Sequence, residues 1–251
     1  MARNALFQGL ASRVALAALA ALPRSLDTTS AQSNAAGALE LDEALGGAAL
    51  PAAAAGAAPC SVAQGLAGVI AQVRENMVLR RAAALGGEGC VVVPYAHNSP
   101  AAGLGTIGVL VALRRRAAGG GALERSPALL ALGRRLAMHI AAAAPQYTSR
   151  AAVPPEALER ERAVLLAASK DLAAKPPAMA AKILEGKLGK FYGDCVLLEQ
   201  AFALGEDGGK VGKWVDEEGK RAGVAGGLDV AGFAVFRVGA GGGSGNAPAP
   251  A

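Results

Sequence analysis

The stretch Cys90–Leu113, CVVVPYAHNSPAAGLGTIGVLVAL, decides how the rest of the chain is read. Two β-rich runs, Cys90 to Tyr95 and Ile107 to Leu113, flank a histidine, a Ser-Pro pair and glycines 103 and 105. Short β-branched runs separated by turn residues read as an antiparallel pair. The intervening segment, Ala96 to Thr106, is too long for a two-residue hairpin and suits a wide, ordered loop. His97 falls in that loop, where a side chain is free to meet a partner. A hydrogen bond that shapes its own loop is the alternative, and the residues alone leave both open. The spacing of Gly103–Gly108, GLGTIG, fits Gly-x-Gly-x-x-Gly, but it leads into a strand instead of opening a helix, so it is set aside.

On both sides of this pair the pattern is mostly helical. Residues 5–23 place Leu6, Phe7, Leu10 and Val14 on one face, extended by Ala17, Ala18 and Leu22. Leu16 and Leu19 fall outside that face, which predicts a helix buried nearly all round, ended by Pro23. Residues 24–58 read as a connector or low-complexity insertion. A second helix is predicted over 61–85, with Ser61 as its cap, a stripe from Val62 to Met77, and the glycines after residue 85 as its breaker. Further helices are predicted from Pro127 to Ala144, from Pro155 to about Ala174, from Pro177 to Phe191 with interruptions at Gly186 and Gly189, and from Val211 to Arg221. Val230–Gly239, VAGFAVFRVG, reads as a third strand, with Phe233, Val235 and Arg237 on one face. Residues 240–251 read as a flexible tail.

These elements predict an α+β fold: a small antiparallel three-stranded sheet packed with helices, a mainly helical N-terminal half and a helical hairpin. The expected organisation is an N-terminal core subdomain over 1–85 and a C-terminal core subdomain over 86–239, which includes the hairpin at about 155–200.

Composition narrows the function. The 251 residues carry a formal net charge of +5, and hydrophobic residues make up 53%, much of it alanine. The basic residues are scattered; their densest runs, Arg80-Arg81, Arg114-Arg115-Arg116 and Arg134-Arg135, have no interleaved aromatics, so no direct nucleic-acid contact is expected. No stretch is long and apolar enough to predict a membrane span. Cys60, Cys90 and Cys195 lie far apart and form no Cys-x-x-Cys pair, which suits a reducing compartment and buried or half-buried thiols. With only His97 and His139, neither a catalytic triad nor a metal cluster assembles, and nucleotide-binding and hydrolase motifs are absent. Glu156, Glu159 and Glu161 fit a helix N-terminus, and Asp216, Glu217 and Glu218 a solvated face. No enzyme chemistry and no cofactor are expected. His139, on a helix beside Met138, reads as a packed, satisfied histidine.

Five ordered segments resemble the elongation factor Ts family: VRENMVLRRAAAL, YAHNSPAAGLGTIGVLVAL, LAMHIAAAAPQY, KILEGKLGKFYGDCVLLEQAF and VAGFAVFRVG. The resemblance spans about residues 3–239, apart from 24–58. Asp194 stands where the family has a second Glu, and Val235 where it usually has Arg. The resemblance implies a guanine nucleotide exchange factor that promotes GDP release from elongation factor Tu. It implies that His97 is the exchange histidine and that Val73 and Arg74 approach the partner, with Arg74 in place of a small glycine. It also puts Arg3, Asn4, Met138 and His139 among partner-facing positions, and it allows a homodimer through the hairpin. HNSPAAGLG and LLEQAF resemble the mitochondrial branch, which implies a mitochondrial or, alternatively, a chloroplast location. The opening MARN resembles the end of the family's Thr-Asp-Phe-Val-Ala-Arg-Asn stretch. That implies an N-terminally truncated chain, with residues 5–22 a core helix instead of a targeting peptide. A module that binds elongation factor Tu with little exchange activity is the competing expectation.

Overall fold

The computed structural model describes residues 4–21, 45, 47–52, 58–116, 121–168, 177–205 and 208–239. Arg3, most of the 24–58 insertion and the 240–251 tail lie outside them. The centre is a three-stranded antiparallel sheet, β3 (Val91–His97), β4 (Ile107–Arg115) and β5 (Leu228–Arg237), in that spatial order. Val93 pairs with Val111 and Val111 with Phe233, so one face carries Val91, Val93, Val109, Val111, Phe233 and Val235. All six are buried. Alternation dictates this: successive residues point to opposite faces, and the β-branched positions share one. A bulge where β4 meets β5, between Ala112 and Leu113, leaves Ala231 unpaired.

Helix α3 (Pro127–Ala143) covers that face with Leu129, Leu132, Leu136 and Ile140. Ser126 caps it, its Oγ accepting from the Leu129 N–H at 3.2 Å, and Pro127 follows at the first turn. Gly133 sits where the helix crosses β3; a Cβ there would lie 2.5 Å from a Val93 methyl carbon. Helix α6 (Val211–Arg221) closes the far end through Val211 and Val215. A hairpin of α4 (Pro155–Ala168) and α5 (Pro177–Cys195) stands off this core, rooted by Val153, Cys195 and Val196. Helix α5 is continuous through Gly186 and Gly189, against expectation, and runs four residues past Phe191. Packing of Leu188 and Phe191 outweighs a glycine cost of about 1 kcal/mol each.

The N-terminal unit is α1 (Ala5–Ala21) against α2 (Val62–Val73), with a two-stranded ribbon of β1 (Ala49–Leu50) and β2 (Cys60–Ser61). Three expectations change here. Helix α1 buries only Leu10, Ala17 and Ala18, while Leu16 and Leu19 are 55% and 49% exposed, so it is covered on one side and not all round. Helix α2 ends at Val73, twelve residues short of Leu85, because Arg74 turns left-handed (φ 58°) and its N–H closes on the Ile70 carbonyl. Met77 therefore lies beyond the helix. The ribbon places residues 49–50 of the insertion in structure. From α2 the chain crosses the outer face of the sheet: the Arg81 guanidinium lies 4.8 Å above the Phe236 ring, and a Leu85 methyl carbon lies 3.8 Å from where a Gly232 Cβ would stand.

Among the described residues no helix is long and apolar enough to cross a membrane, and no group of three or more His, Cys, Asp or Glu could hold a metal ion. In the densest basic run, Arg114 pairs with Asp229 at 3.0 Å and Arg116 pairs with Asp216.

Candidate functional site

His97 is the last residue of β3 and not the tip of the loop. It pairs with Ile107, two residues beyond the strand read from the sequence. Ile107 in turn pairs with Arg237, so His97, Ile107 and Arg237 form the end row of the sheet's inner face. The Arg237 guanidinium donates to the Ala141 carbonyl in the last turn of α3, which is a favourable place for a cation.

The backbone of His97 is held firmly while its side chain is exposed. Its carbonyl accepts from the Thr106 N–H at 2.9 Å and from the Thr106 hydroxyl at 3.4 Å. The Thr106 carbonyl accepts from Val238 at 2.9 Å, which links the turn to the end of β5. Asn98 turns the chain in the left-handed region (φ 50°), which asparagine tolerates better than most residues. Gly105 folds back over His97; a Cβ there would sit 2.5 Å from the His97 oxygen and 3.0 Å from its nitrogen. The loop 98–106 is thus an ordered platform, as its length and Gly/Pro content predict.

On the ring, His97 Nδ1 lies 3.0 Å from the hydroxyl of Tyr95. Tyr95 and Thr106 were not singled out in the sequence, and Gly105 only as a turn residue. The period of two along a strand, which puts residues 95 and 97 on one face, is the signal that finds Tyr95.

The other sequence-derived positions lie elsewhere. Val73 is half-buried and Arg74 exposed, at the end of α2. Asn4 is the N-terminal cap of α1: its Oδ1 accepts from the Leu6 N–H at 2.8 Å and from the Phe7 N–H at 3.4 Å. Met138 is half-buried on α3. None of the hydrogen bonds described for His97 reaches these residues. His139 is 1% exposed, so its ring has no surface to offer a partner in this conformation. Its Nε2 donates to Gln200 Oε1 at 3.0 Å, and its Nδ1 accepts from the Ala203 N–H at 3.2 Å. Gln200 passes the chain on, donating to the Asp194 carbonyl at 2.9 Å. Burial pushes the His139 pKa below the usual 6.5, opposed in part by the bond to Gln200. The packed, satisfied histidine of the periodicity reading is what stands here, because helix position 139 faces the same core as Leu136 and Ile140.

A second polar cluster, at the base of the hairpin, is an ion-pair network. Glu199 receives Arg150 at 2.8 Å and Lys210 at 2.6 Å, and Arg150 lies 4.8 Å over the Tyr192 ring. Hydrogen bonds from Arg150 first, and then from Lys210, hold the Glu199 pKa below its ordinary value.

The surface offered at the sheet end is therefore a rigidly mounted, exposed imidazole whose hydrogen-bond partner among the described residues is Tyr95. Such a group is placed to contact another molecule.

The family model for "Elongation factor TS" matches residues 1–240. Elongation factor Ts of Gluconobacter oxydans is 41% identical over 181 residues, which cover 72% of this chain and 54% of that protein. That of Rhodospirillum rubrum is 45% identical over 175 residues, 69% of this chain and 52% of its own length. That of Caulobacter vibrioides is 37% identical over 207 residues, 82% and 56% respectively. The chain spans about half the length of these curated relatives. A matching family model over almost the whole chain, on a sheet and helices laid out as above, leaves one conclusion: the chain belongs to the elongation factor Ts family.

Proposed function

We propose that this chain acts as a guanine nucleotide exchange factor for elongation factor Tu in translation, with His97 as the inserted side chain. The observation that carries the reading is the mounting of His97: an exposed ring on a strand end whose backbone is fixed by Thr106 and packed under Gly105. Expelling GDP requires tighter binding to the nucleotide-free GTPase than to the GDP-bound one. The same coupling makes GDP weaken binding of the factor, by reciprocity. A side chain that enters on a rigid support and disturbs the amides around the phosphates supplies that difference without bond chemistry. The test is stopped-flow release of fluorescent GDP from elongation factor Tu. His97→Ala should slow stimulated release about tenfold, the loss of one well-placed hydrogen bond, with the melting temperature unchanged. Unchanged release would remove His97 from this role.

Arg74 favours a second reading, a binding module with weak exchange. Its exposed guanidinium stands at the end of α2, where the family resemblance puts a small glycine at close approach. Pull-down that succeeds while release stays unstimulated would select this reading over the first. We place the protein in an organelle, the mitochondrion before the chloroplast, on HNSPAAGLG and LLEQAF alone, since the relatives named above are bacterial. Fluorescence microscopy of a C-terminal fusion of the complete coding sequence tests this, and a cytosolic signal would reject it.

A further inference from the structure

We propose that Tyr95 is a positioning residue that fixes the tautomer and orientation of His97, so that the histidine meets its partner as a neutral Nε2–H donor. Tyr95 and His97 stand two residues apart on β3 and project from the same face. The phenol oxygen lies 3.0 Å from Nδ1, with ring centroids 6.1 Å apart and planes tilted by 42°, so the contact is a hydrogen bond at the ring edge and not a stack.

The bond has two polarities: the hydroxyl donates to a bare Nδ1, or accepts from Nδ1–H. Chemistry favours the first. A phenol is the more acidic donor, and its oxygen lone pairs are drawn into the ring, while an unprotonated imidazole nitrogen is a strong acceptor. With the Tyr95 hydroxyl donating to Nδ1, the ring proton resides on Nε2, because the bond made by one imidazole nitrogen sets the state of the other. Tyr95 is half-buried and packed against the sheet core, whereas His97 is exposed. The tyrosine is the fixed member of the pair and the histidine the one it orients.

This rests on the exchange reading above, and it narrows the partner's chemistry. Only a bond made in the nucleotide-free complex drives release. A donor that engaged the nucleotide's own phosphate would favour retention. The acceptor facing Nε2–H is therefore an oxygen of the partner protein itself, a main-chain carbonyl being the commonest such group.

The test uses the whole chain and two readouts. Long-range ¹H–¹⁵N spectra of the imidazoles are recorded in mildly alkaline solution, where histidines are neutral, and the His97→Ala spectrum assigns the signals. Wild type should show the Nε2–H pattern for His97, and Tyr95→Phe should raise the Nδ1–H share. Tyr95→Phe keeps the packed ring, so its melting temperature should match wild type while stimulated GDP release slows roughly two- to tenfold, as for one lost hydrogen bond. A wild-type Nδ1–H pattern, or a tautomer ratio unmoved by Tyr95→Phe, overturns the assignment. A shifted ratio with release unchanged overturns the positioning role and leaves the exchange function standing. A shifted ratio in a protein that stimulates no release at all overturns the exchange function and the partner half of this inference, and leaves the tautomer assignment supported.

Discussion

Gly105 has no side chain because the backbone of His97 fills the place one would take. The hypothetical Cβ at 2.5 Å from a carbonyl oxygen cannot be relieved by a rotamer change, since the obstacle is main chain. Gly105→Ala should therefore push His97 off its support and weaken the bond to Thr106, costing about 1–3 kcal/mol, as overpacking does. It should also slow stimulated GDP release. If it acts through His97, the double variant with His97→Ala should release no slower than His97→Ala alone. Full exchange activity in Gly105→Ala would show that the loop's seat is irrelevant to the site. Of this arrangement the sequence displayed the histidine and the glycines. It did not display that the strand runs on to residue 97, since Ala96 and His97 are weak strand formers and their pairing with Gly108 and Ile107 is carried by backbone bonds.

At the scale of elements, legibility follows local pattern. The strand pair and α3 were readable because β-branched alternation and an i, i+3, i+4 stripe are each written in consecutive residues. The end of α2 was not, because no glycine or proline marks it. The turn is taken by Arg74 in a left-handed conformation that costs a non-glycine residue about 1 kcal/mol. The start of α2 was readable from Ser61 as its cap, and the structure completes a capping box there: Gln64 N–H donates to Ser61 Oγ at 3.2 Å and Ser61 N–H donates to Gln64 Oε1 at 2.9 Å. The ribbon of β1 and β2, two residues each, has no pattern to read. Arg74→Gly puts the preferred residue at a helix C-terminus. It should stabilise the protein by about 0.5–1 kcal/mol, offset in part by the greater freedom of glycine in the unfolded chain. A melting temperature a few degrees higher is the expected result; a lower one would mean that the arginine makes contacts that outweigh its backbone strain.

At the scale of the whole molecule, partners far apart in sequence decide the outcome, and these a sequence pattern cannot name. Strand β5 joins β4 across more than a hundred residues, and His139 finds Gln200 61 positions away. The apolar stripe of α3 told that His139 faces inward; it could not tell that its two nitrogens fasten α3 to the segment that leaves the hairpin. That tie is pH-sensitive. Protonation would turn Nδ1 from acceptor to donor and set it against the Ala203 N–H, inside a site shared with the Phe202 ring at 5.5 Å. The native state therefore holds His139 neutral, with its pKa lowered by burial, while the unfolded chain titrates near 6.5. Between those two values the unfolded state binds the extra proton. The contribution to stability is complete above about pH 6.5 and is lost as pH falls toward the native value, at no more than about 1.4 kcal/mol per pH unit. Denaturant unfolding of the full chain at mildly acidic and neutral pH should show this slope, ahead of the carboxylate titrations that begin lower. His139→Gln, which keeps a polar group and cannot titrate in this range, should flatten it. An equal slope in that variant would mean that the loss of stability on acidification comes from other groups and that the His139 tie does not govern it.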